Sequence, residues 1–375
     1  MRIGIVTPRY PPTHAGGGEI SVQLLAEQLQ RRDSVETVEV LSFDGETAES
    51  VGGVSVSRLT DVPQYPYTLP NEIAYRALRS LDLEYDVLHA YNMHLHPAVG
   101  RISARFDIPS VATLNAYPLL DWEDVNVRPS LKRRVYEKTL LRFERPRLKR
   151  MMDSIDLFLP LSHDVEEIYR NQGFEGHDYT VVPNMIDPSF DVPSLSSEDS
   201  DGGTLLYVGY LRDSKGVRHL IDAMAHLPTD LELKIVGDGP RRDELEQRAA
   251  ASGRADQITF TGRVPYEEVT RSYATADVFV HPGVWPEPFG RTILEAMQAG
   301  LPVVATNIGG PSETVPQQEL LCSPGDPVSL SDSIRRAYED RTEIGAQNRD
   351  HVQRAYHPDT VVPRFMDAYR RVVHG

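Results

Sequence analysis

Short apolar runs, rich in β-branched residues, alternate with amphipathic helical patterns along the whole chain. In the first half these runs cover residues 3–7, 37–43, 87–89, 110–114 and 157–160. In the second half they cover residues 204–208, 231–236, 258–261, 278–280 and 303–305. Strands that are apolar throughout are typical of parallel sheets with helices on both faces. The pattern therefore predicts an α/β chain with two doubly wound parallel sheets.

The chain has 375 residues, of which 40% are hydrophobic and 25% charged. This length and composition suit two domains, each with its own core. Residues 188–203 are rich in Ser, Asp, Gly and Pro, which is typical of a linker. We therefore predict an N-terminal domain over residues 1–187, this linker, and a C-terminal domain over residues 204–357.

Charge and cysteine content exclude several classes of protein. The formal net charge is −16, which disfavours nucleic acid as a partner of the whole surface. The single cysteine, Cys322, excludes an internal disulfide. The start of the chain does not resemble a signal peptide, and no run of 18 apolar residues occurs. We expect a cytoplasmic protein, with a peripheral position on the inner membrane face as an alternative.

The segment 285–306 combines a loop, a helix and a strand in an order that suits an anion site. Prolines bound the loop, a helix is predicted over residues 290–298, and a buried strand follows. The first amides of a helix have no partner within it and attract anions such as phosphate. The amides of Gly290, Arg291 and Thr292 are therefore candidates for binding phosphate.

Charged side chains accompany this predicted helix start. Glu287 lies in the loop and Glu295 lies inside the helix. A carboxylate beside a phosphate site more plausibly accepts hydrogen bonds from sugar or ribose hydroxyls. Arg212 and Lys215 follow an earlier strand, and two cations close together suit a diphosphate whose charge grows as a sugar leaves. Together these residues indicate a sugar-diphosphate site.

The Glu-Pro-Phe-Gly sequence at 287–290, the spacing of the two glutamates and the Gly-Leu-Pro-Val-Val-Ala sequence at 300–305 occur together. This combination resembles the Glu-x7-Glu motif of the retaining glycosyltransferases of family 4, the group-1 glycosyl transferases. The resemblance covers nearly the whole chain. It implies the GT-B fold, in which two Rossmann-like domains face a cleft, and a final helix, 358–375, that crosses back to the first domain.

The same resemblance implies an enzyme that moves a sugar from a nucleoside-diphosphate sugar to a hydroxyl acceptor. It implies that the anomeric configuration is retained, and a lipid-linked glycan or a glycolipid is the favoured acceptor. An Asp-Ser-Asp sequence at 199–201 lies in the predicted linker, so we expect no required metal and no other cofactor. The alternatives are a nucleotide-sugar epimerase of the same architecture and a non-catalytic nucleotide-sugar-binding partner subunit.

Residue roles follow from the resemblance on the donor side. Arg212, Lys215 and Glu287 are the expected catalytic residues, the two cations on the diphosphate and the glutamate on the donor sugar. Glu295 is expected to hold the ribose, and the main chain near Arg263 the base. The full set of expected donor-binding residues is Gly237, Arg263, Val264, Phe289, Gly290, Arg291, Thr292 and Glu295.

A glycine-rich loop precedes the first predicted helix. Gly16 to Gly18 allow close backbone approach at a helix start. The spacing is not that of a dinucleotide-binding fingerprint. The loop is similar to the Gly-Gly loop of the family, so Gly17 and Gly18 are expected to contact substrate.

The chain departs from the family at its histidines. The family often carries His-x-His, and here His89 matches the first position whereas Tyr91 stands at the second. Asn115 stands where another histidine is common. We therefore expect Asn92, His94 and Asn115 to supply polar contacts to substrate. His89, at a strand end, is predicted to be a core histidine.

The segment 127–152 is strongly basic in an acidic chain. It contains ten Lys and Arg residues against Glu137 and Glu144, with apolar residues at roughly helical spacing. Pro146 is predicted to break the helical pattern. Residues 128–150 either lie against an anionic membrane surface or a lipid-phosphate acceptor, or form a solvated helix that the acidic remainder neutralises.

Overall fold

The chain forms two compact α/β units in a computed structural model. The structure describes residues 1–14, 16–120, 130–193 and 203–375. The described residues of 1–120, 130–184 and Pro358–Gly375 form the first unit, and those of 185–193 and 203–357 form the second. The C-terminal segment therefore packs with the N-terminal part of the chain.

The first unit is built on a seven-stranded sheet. Its strands are β1 (Arg2–Thr7), β2 (Thr37–Ser42), β3 (Thr47–Val51), β4 (Val54–Arg58), β5 (Val87–Ala90), β6 (Ser110–Leu114) and β7 (Leu157–Pro160). The strand order is β3-β4-β2-β1-β5-β6-β7, and only the pair β3 and β4 is antiparallel. Helices α1 to α6 are Gly17–Gln30, Thr68–Leu78, His96–Phe106, Leu131–Tyr136, Arg142–Met152 and His163–Tyr169.

The sequence patterns miss the edge hairpin of this sheet. β3 is exposed along most of its length and has the sequence TAESV, which lacks an apolar run. In β4, Val54 and Val56 are buried and alternate with serines, a pattern that a search for continuous apolar runs does not detect. The hairpin is held by pairing with β2, a tertiary contact that no local pattern shows.

The second unit is built on a six-stranded sheet that is parallel throughout. Its strands are β8 (Thr204–Val208), β9 (Glu232–Val236), β10 (Ile258–Gly262), β11 (Val278–His281), β12 (Val303–Thr306) and β13 (Leu321–Cys322), in the order β10-β9-β8-β11-β12-β13. Helices α7 to α13 are Val217–Ala223, Arg242–Ala251, Tyr266–Ala274, Arg291–Gln298, Gly310–Thr314, Pro327–Glu339 and Arg341–Ala355, and α14 is Pro358–His374. The predicted pair of doubly wound parallel sheets is confirmed.

Each sheet has one point at which the strand order reverses direction. β1 lies between β2 and β5, and β8 lies between β9 and β11. Loops that leave the carboxyl ends of such neighbouring strands run to opposite faces of the sheet and open a crevice, where ligands of α/β proteins bind. The loops after β1 and β5, and those after β8 and β11, are therefore the places to look for sites.

His89 is a core residue of the first unit, as predicted. Its side chain is fully buried in β5. Nδ1 lies 2.8 Å from the hydroxyl of Tyr369 in α14, and Nε2 lies 2.7 Å from the hydroxyl of Thr113 in β6. Burial lowers the pKa of His89 to about 3, so the ring is neutral at pH 7. The histidine thus links the C-terminal helix to the sheet.

The basic helical segment is continuous across Pro146. Helix α4 leads into a π-helical turn, Glu137–Leu141, and then into α5, which contains Pro146. The predicted break at this proline is therefore wrong. Pro146 lacks a backbone donor, but the chain stays helical on both sides of it. No helix in the described part of the chain is both long and apolar enough to cross a bilayer.

Acid should destabilise the first unit through its buried histidines. Burial lowers the pKa of His89 and His96 to about 3 and that of His94 to about 4. Below about pH 6.5 the unfolded chain binds protons that the folded chain does not, so stability falls as the pH drops from about 6.5 to 4. Each such histidine contributes a slope of up to about 1.4 kcal/mol per pH unit.

Urea unfolding of His89→Gln between pH 7 and pH 4.5 tests this expectation. The free energy of unfolding should fall less steeply with decreasing pH in the variant than in the native chain. The difference in slope should correspond to the uptake of about one proton on unfolding. His226→Gln is the control, because His226 is exposed. Parallel pH profiles for the native chain and His89→Gln would contradict the assignment.

Candidate active site

The loops that follow β8 and β11 are joined through their main chains. The amide of Val284 donates to the carbonyl of Ser214 at 2.9 Å. Gly216 has φ +68°, and a Cβ atom there would lie 1.8 Å from the carbonyl oxygen of Pro282. Only glycine permits both this conformation and this approach. Main-chain contacts therefore hold the two loops together, independently of their side chains.

A largely buried ion pair lies where these loops meet. Lys215 Nζ is 2.6 Å from both carboxylate oxygens of Glu287, and the two side chains are 15% and 16% exposed. His281 Nε2 lies 3.1 Å from Glu287 Oε2. Burial alone would raise the pKa of the Glu287 carboxyl, but Lys215 and His281 together hold that pKa well below its usual range. Glu287 is therefore ionised at neutral pH.

The sequence analysis did not identify His281 as a site residue. It is the last residue of β11 and is almost fully buried. Its Nδ1 is buried and has no hydrogen-bond partner among the described residues. The available signal was its place at the carboxyl end of a strand beside the reversal point of the sheet.

The loop that carries Glu287 is also held from its other side. The amide of Gly310 donates to the carbonyl of Glu287 at 2.8 Å. Gly309 has φ +70°, and a Cβ atom there would lie 2.7 Å from the backbone nitrogen and oxygen of Glu287. The backbone of Glu287 is thus fixed by close contact with the connection between β12 and α11.

Helix α10 begins directly after this loop, close to the predicted position. Gly290 is its N-cap, with φ +89°, and its carbonyl accepts the amide of Ile293 at 3.0 Å. No side chain caps this end of the helix. Such a helix end presents amide donors and the positive end of the helix dipole. The predicted anion site at Gly290, Arg291 and Thr292 is therefore compatible with the local structure.

Glu295 is buried inside α10. Its carboxylate accepts hydrogen bonds from the hydroxyl of Tyr273 at 3.0 Å and from Arg291 Nε at 3.1 Å. Tyr273, which lies in α9, was not predicted from the sequence. Glu295 is thus oriented by one neighbour on its own helix and one on another.

Arg212 lies beside the same region without contacting Glu287. Its guanidinium is 5.4 Å from the ring centroid of Trp285. Its Nε is buried and has no hydrogen-bond partner within the described part of the chain. A buried guanidinium donor without a partner is a group that an anionic ligand would satisfy.

The remaining donor-side residues lie at strand ends or within the packing. The amide of Gly237, after β9, donates at 2.9 Å to the end of β10. Arg263 is exposed and Val264 half-buried just beyond that point. Phe289 is only 4% exposed, and its ring packs 5.7 Å from that of Tyr356. The side chain of Phe289 therefore belongs to the core, and only its main chain is left for a ligand.

A cavity of about 340 Å³ lies in the first unit at the carboxyl ends of β1 and β5. Four of the residues predicted on the acceptor side line it, namely Gly18, Asn92, His94 and Asn115. Gly17 is the first residue of α1 but does not line the cavity. The structure thus brings together residues that are up to about a hundred positions apart in sequence.

Asn92 contacts several of the segments around this cavity. It has φ +62°, which is uncommon outside glycine and marks local backbone strain. Its Nδ2 lies 3.2 Å from the hydroxyl of Thr7, and its Oδ1 accepts Asn115 Nδ2 at 2.6 Å. A Cβ atom on Gly18 would lie 2.7 Å from Asn92 Oδ1. Asn115 Oδ1 is buried and has no described hydrogen-bond partner.

His94 is a neutral polar group of the cavity at pH 7. Burial, together with the charges of Arg9 and Arg133, lowers its pKa to about 4. Its ring packs 5.6 Å from that of Tyr67. Arg9 and Glu19 also line the cavity and were not predicted, although Glu19 directly follows the glycine-rich loop.

Two family models match consecutive parts of the chain. The model described as Glycosyltransferase Family 4 matches residues 15–190, and the one described as Glycosyl transferases group 1 matches residues 194–357. The chain belongs to this family of glycosyltransferases. The family resemblance inferred from the Glu287 to Glu295 motif is therefore confirmed.

Curated relatives align with this glycosyltransferase over most of its length. An uncharacterized glycosyltransferase of Methanocaldococcus jannaschii is 26% identical and aligns over 99% of the chain and 98% of the relative. The phosphatidyl-myo-inositol mannosyltransferase of Mycobacterium leprae is 28% identical and aligns over 89% of the chain and 86% of the relative.

Solved structures share its fold. The sucrose-phosphate synthase of Thermosynechococcus elongatus has a TM-score of 0.83 at 22% identity, over 100% of this chain and 99% of that one. The Anabaena protein HepE, in complex with UDP and glucose, has a TM-score of 0.77 at 22% identity, over 99% of this chain and 100% of that one. The glycosyltransferase therefore has the GT-B fold.

The described residues contain no cluster of three or more His, Cys, Asp or Glu side chains that could hold a metal ion. The Asp-Ser-Asp sequence at 199–201 lies outside the described residues.

Removing one partner of the buried ion pair should destabilise the second unit. We expect Lys215→Met to lower the free energy of unfolding by about 1–3 kcal/mol, because the largely buried Glu287 carboxylate then keeps only His281 as a described partner. The Lys215→Met/Glu287→Gln double variant should lose less than the sum of the two single variants. Because the folded-state pKa of Glu287 is lowered, the stability it confers is present above about pH 4.5 and is lost as the pH falls further.

The measurement is a double-mutant cycle. Urea unfolding at pH 7 is carried out on the native chain, the two single variants and the double variant. Lys138→Met, on the exposed surface of the first unit, is the control. Additive losses from Lys215→Met and Glu287→Gln would show that the two side chains are not coupled.

Proposed function

We propose that this glycosyltransferase moves a sugar from a nucleoside-diphosphate sugar to a hydroxyl acceptor, with retention of the anomeric configuration and without a metal ion. The observation that carries the proposal is the ionised, buried Glu287, held by Lys215 and His281 beside the start of α10. The UDP and UDP-glucose complexes of Anabaena HepE support a donor of this chemical class.

Arg212, Lys215 and the start of α10 neutralise the diphosphate in this proposal. Arg212 has a buried donor without a described partner, and the helix start presents the amides around Thr292. Negative charge grows on the diphosphate as the sugar leaves, so preformed donors at this position lower the barrier. Lys215 donates to Glu287, and a bound phosphate oxygen would share these hydrogen bonds.

Glu287 orients the donor sugar. An ionised carboxylate only accepts hydrogen bonds, and the hydroxyls of a sugar are suitable donors. Its low pKa keeps it in this state over the physiological range. Because the backbone of Glu287 is held by Gly309 and Gly310, the carboxylate has a defined position, and such positioning is a large part of catalysis.

The diphosphate oxygen serves as the base in the transfer step. The bond between the anomeric carbon and the diphosphate oxygen breaks, and a bond between that carbon and the acceptor oxygen forms on the same face of the sugar. The proton of the acceptor hydroxyl passes to the departing diphosphate. The histidines support this assignment, since His94, with a pKa of about 4, is a weak base at pH 7 and His89 is fully buried.

The nucleoside is held by the strand ends of the second unit. Glu295 binds the ribose, and Gly237, Arg263 and Val264 lie where the base would approach the main chain. The main chain of Phe289 completes this site. The orientation of Glu295 by Tyr273 and Arg291 supports a positioned ribose contact.

The acceptor occupies the cavity of the first unit. Its volume of about 340 Å³ suits a sugar or a polyol, and it offers neutral, basic and acidic groups to hydroxyls. Asn115 Oδ1, which is buried without a described partner, is one acceptor for such a hydroxyl. Gly18, which lines the cavity, and Gly17 beside it at the start of α1 are the proposed backbone contacts of this ligand. A lipid-linked glycan or glycolipid is favoured, and the mannosyltransferase relative with a lipid in its name supports this. The cytoplasmic location stays a prediction of the sequence.

Glu287→Gln should lower kcat by on the order of a hundredfold or more, because the sugar loses its positioning group. The measurement is the initial rate of donor consumption with UDP-, GDP- and ADP-sugars and a panel of hydroxyl acceptors, including glycolipids. Glu339→Gln is the matched control, since Glu339 is an exposed glutamate of the same unit. A native rate in Glu287→Gln would contradict the proposed role of Glu287 in positioning the donor sugar.

Product analysis tests the rest of the proposal. Proton NMR of the anomeric signal should show the same configuration in product and donor, and EDTA should leave the rate unchanged. An inverted product, or activity that returns only with Mg²⁺ or Mn²⁺, would contradict retention or metal independence. Conversion of the nucleotide sugar without an acceptor would instead identify an epimerase.

A further inference from the structure

The helical segment from α4 through α5, residues 131–152, is hereafter the basic helix. One side of it packs onto the first unit. The buried residues on this side are Arg133, Glu137, Leu141, Leu148 and Met152. Their spacing of four to seven residues places them along a single stripe of the helix. The opposite side of the basic helix faces away from the core of the unit.

Both carboxylates of the basic helix are used on its inner side. Glu137 accepts Arg133 Nε at 2.6 Å, and both side chains are 5% exposed. Glu144 accepts the hydroxyl of Tyr136 at 2.5 Å and the amide of Thr68 at 3.1 Å. These contacts hold the helix in place, and they leave no fully exposed carboxylate among the described residues of the basic helix.

The outer side of the basic helix is therefore positively charged. Its exposed cations are Lys132, Lys138, Arg142, Arg147 and Arg150. None of them forms an ion pair with any residue of the described chain. This local charge stands out because the whole chain carries a formal net charge of −16. Neutralisation of these cations by direct contact with acidic residues of the described chain would show ion pairs here.

Large apolar side chains are exposed among these cations. Phe143 is 80% exposed and Leu131 76% exposed, which is more than any other large apolar side chain among the described residues. The apolar set consists of Leu131, Val135, Leu140 and Phe143, with Tyr65 and Leu69 on the neighbouring segment. Tyr65 adjoins the basic helix, since its ring centroid lies 5.5 Å from that of Tyr136. Most of the exposed large apolar residues of the described chain thus lie in one area.

We propose that the basic helix is a docking surface for a lipid bilayer that contains anionic lipids. The cations bind the lipid phosphates, and Phe143, Leu131 and their neighbours enter the interface between headgroups and acyl chains. Charge complementarity favours an anionic partner, and the exposed apolar residues favour a bilayer. Nucleic acid would bind the cations but leave these apolar side chains in water. This docking goes beyond the proposed transfer reaction.

The inner side of the basic helix is connected to the cavity assigned to the acceptor. Arg133, in the basic helix, donates to the hydroxyl of Tyr67 at 2.8 Å, and the ring of Tyr67 packs on His94 of the cavity. Pro70, three residues beyond Tyr67, also lines the cavity. A lipid-linked acceptor would then reach the cavity while its lipid stays in the bilayer. Only this last step rests on the proposed function.

The test is co-sedimentation of the full chain with vesicles. Vesicles of phosphatidylcholine alone are compared with vesicles that also contain phosphatidylglycerol. We expect binding to the anionic vesicles only, with weaker binding at high salt. The Lys138→Gln/Arg142→Gln/Arg147→Gln variant should lower the partition coefficient on the order of a hundredfold, at about fivefold per cation.

The matched control is the Arg31→Gln/Arg105→Gln/Arg364→Gln variant. These three arginines are exposed elsewhere on the first unit, so the control has the same net charge as the test variant. It should bind the anionic vesicles like the native chain. Equal losses in the two triple variants would show that only the total charge matters and would overturn the proposal.

A second variant tests the apolar contribution. Phe143→Ala should lower the partition coefficient about tenfold or more, because a phenylalanine that enters the interface is lost. Phe106→Ala, at an exposed phenylalanine outside the basic helix, should have no effect. Native binding by Phe143→Ala, equal binding to neutral vesicles, or no vesicle binding by the native chain would overturn the proposal.

Two further measurements identify the cause of a failure. Binding of a DNA duplex without any binding of anionic vesicles would assign the surface to nucleic acid and overturn the proposal. Nucleoside-diphosphate binding, measured in the same samples, reports on the second unit alone. Loss of vesicle binding with intact nucleotide binding would therefore leave the proposed transfer reaction standing.

Discussion

The buried carboxylate of Glu287 is the group on which the candidate site depends. A buried charge is strongly unfavourable unless opposite charge and hydrogen bonds surround it. Lys215 and His281 meet this need from two different segments, the loop after β8 and the last residue of β11. These segments come together because β8 and β11 are neighbours in the sheet, although about seventy residues separate them in sequence. The strand order thus creates the environment that keeps Glu287 ionised.

Much of the donor side could be predicted because its parts are local. A run of apolar β-branched residues, a proline-bounded loop and a glycine before a helix each leave a mark in the sequence, and they locate β12, Glu287 and the start of α10. The contacts between distant segments leave no such mark. His281 and Tyr273 were missed because what defines their role is the approach of their side chains to Glu287 and Glu295. Phe289 is the opposite case. The motif predicted it as a substrate-binding residue, but its side chain packs against Tyr356.

In the first unit, too, the sequence shows which residues are present but not how their side chains are oriented. The surplus of cations in residues 127–152 is evident from composition, but their arrangement is not. The structure turns Glu137 and Glu144 inward and leaves five cations and several apolar side chains outside. Similarly, Asn92, Asn115 and Gly18 come from three separate segments, and their contact around one cavity follows from the neighbouring positions of β1, β5 and β6. The hairpin of β3 and β4 at the edge of the sheet was not predicted because neither strand has a continuous apolar run.

Calorimetric titration with UDP, GDP and ADP, without added metal, tests the donor site most directly. The account predicts that one of these diphosphates binds with a micromolar Kd. Lys215→Met should weaken that binding about tenfold to a hundredfold, because a charge-assisted hydrogen bond to phosphate is lost. Lys138→Met, a lysine far from this site in sequence and in the other unit, should bind normally. Absence of binding by all three diphosphates, or unchanged binding by Lys215→Met, would contradict the account.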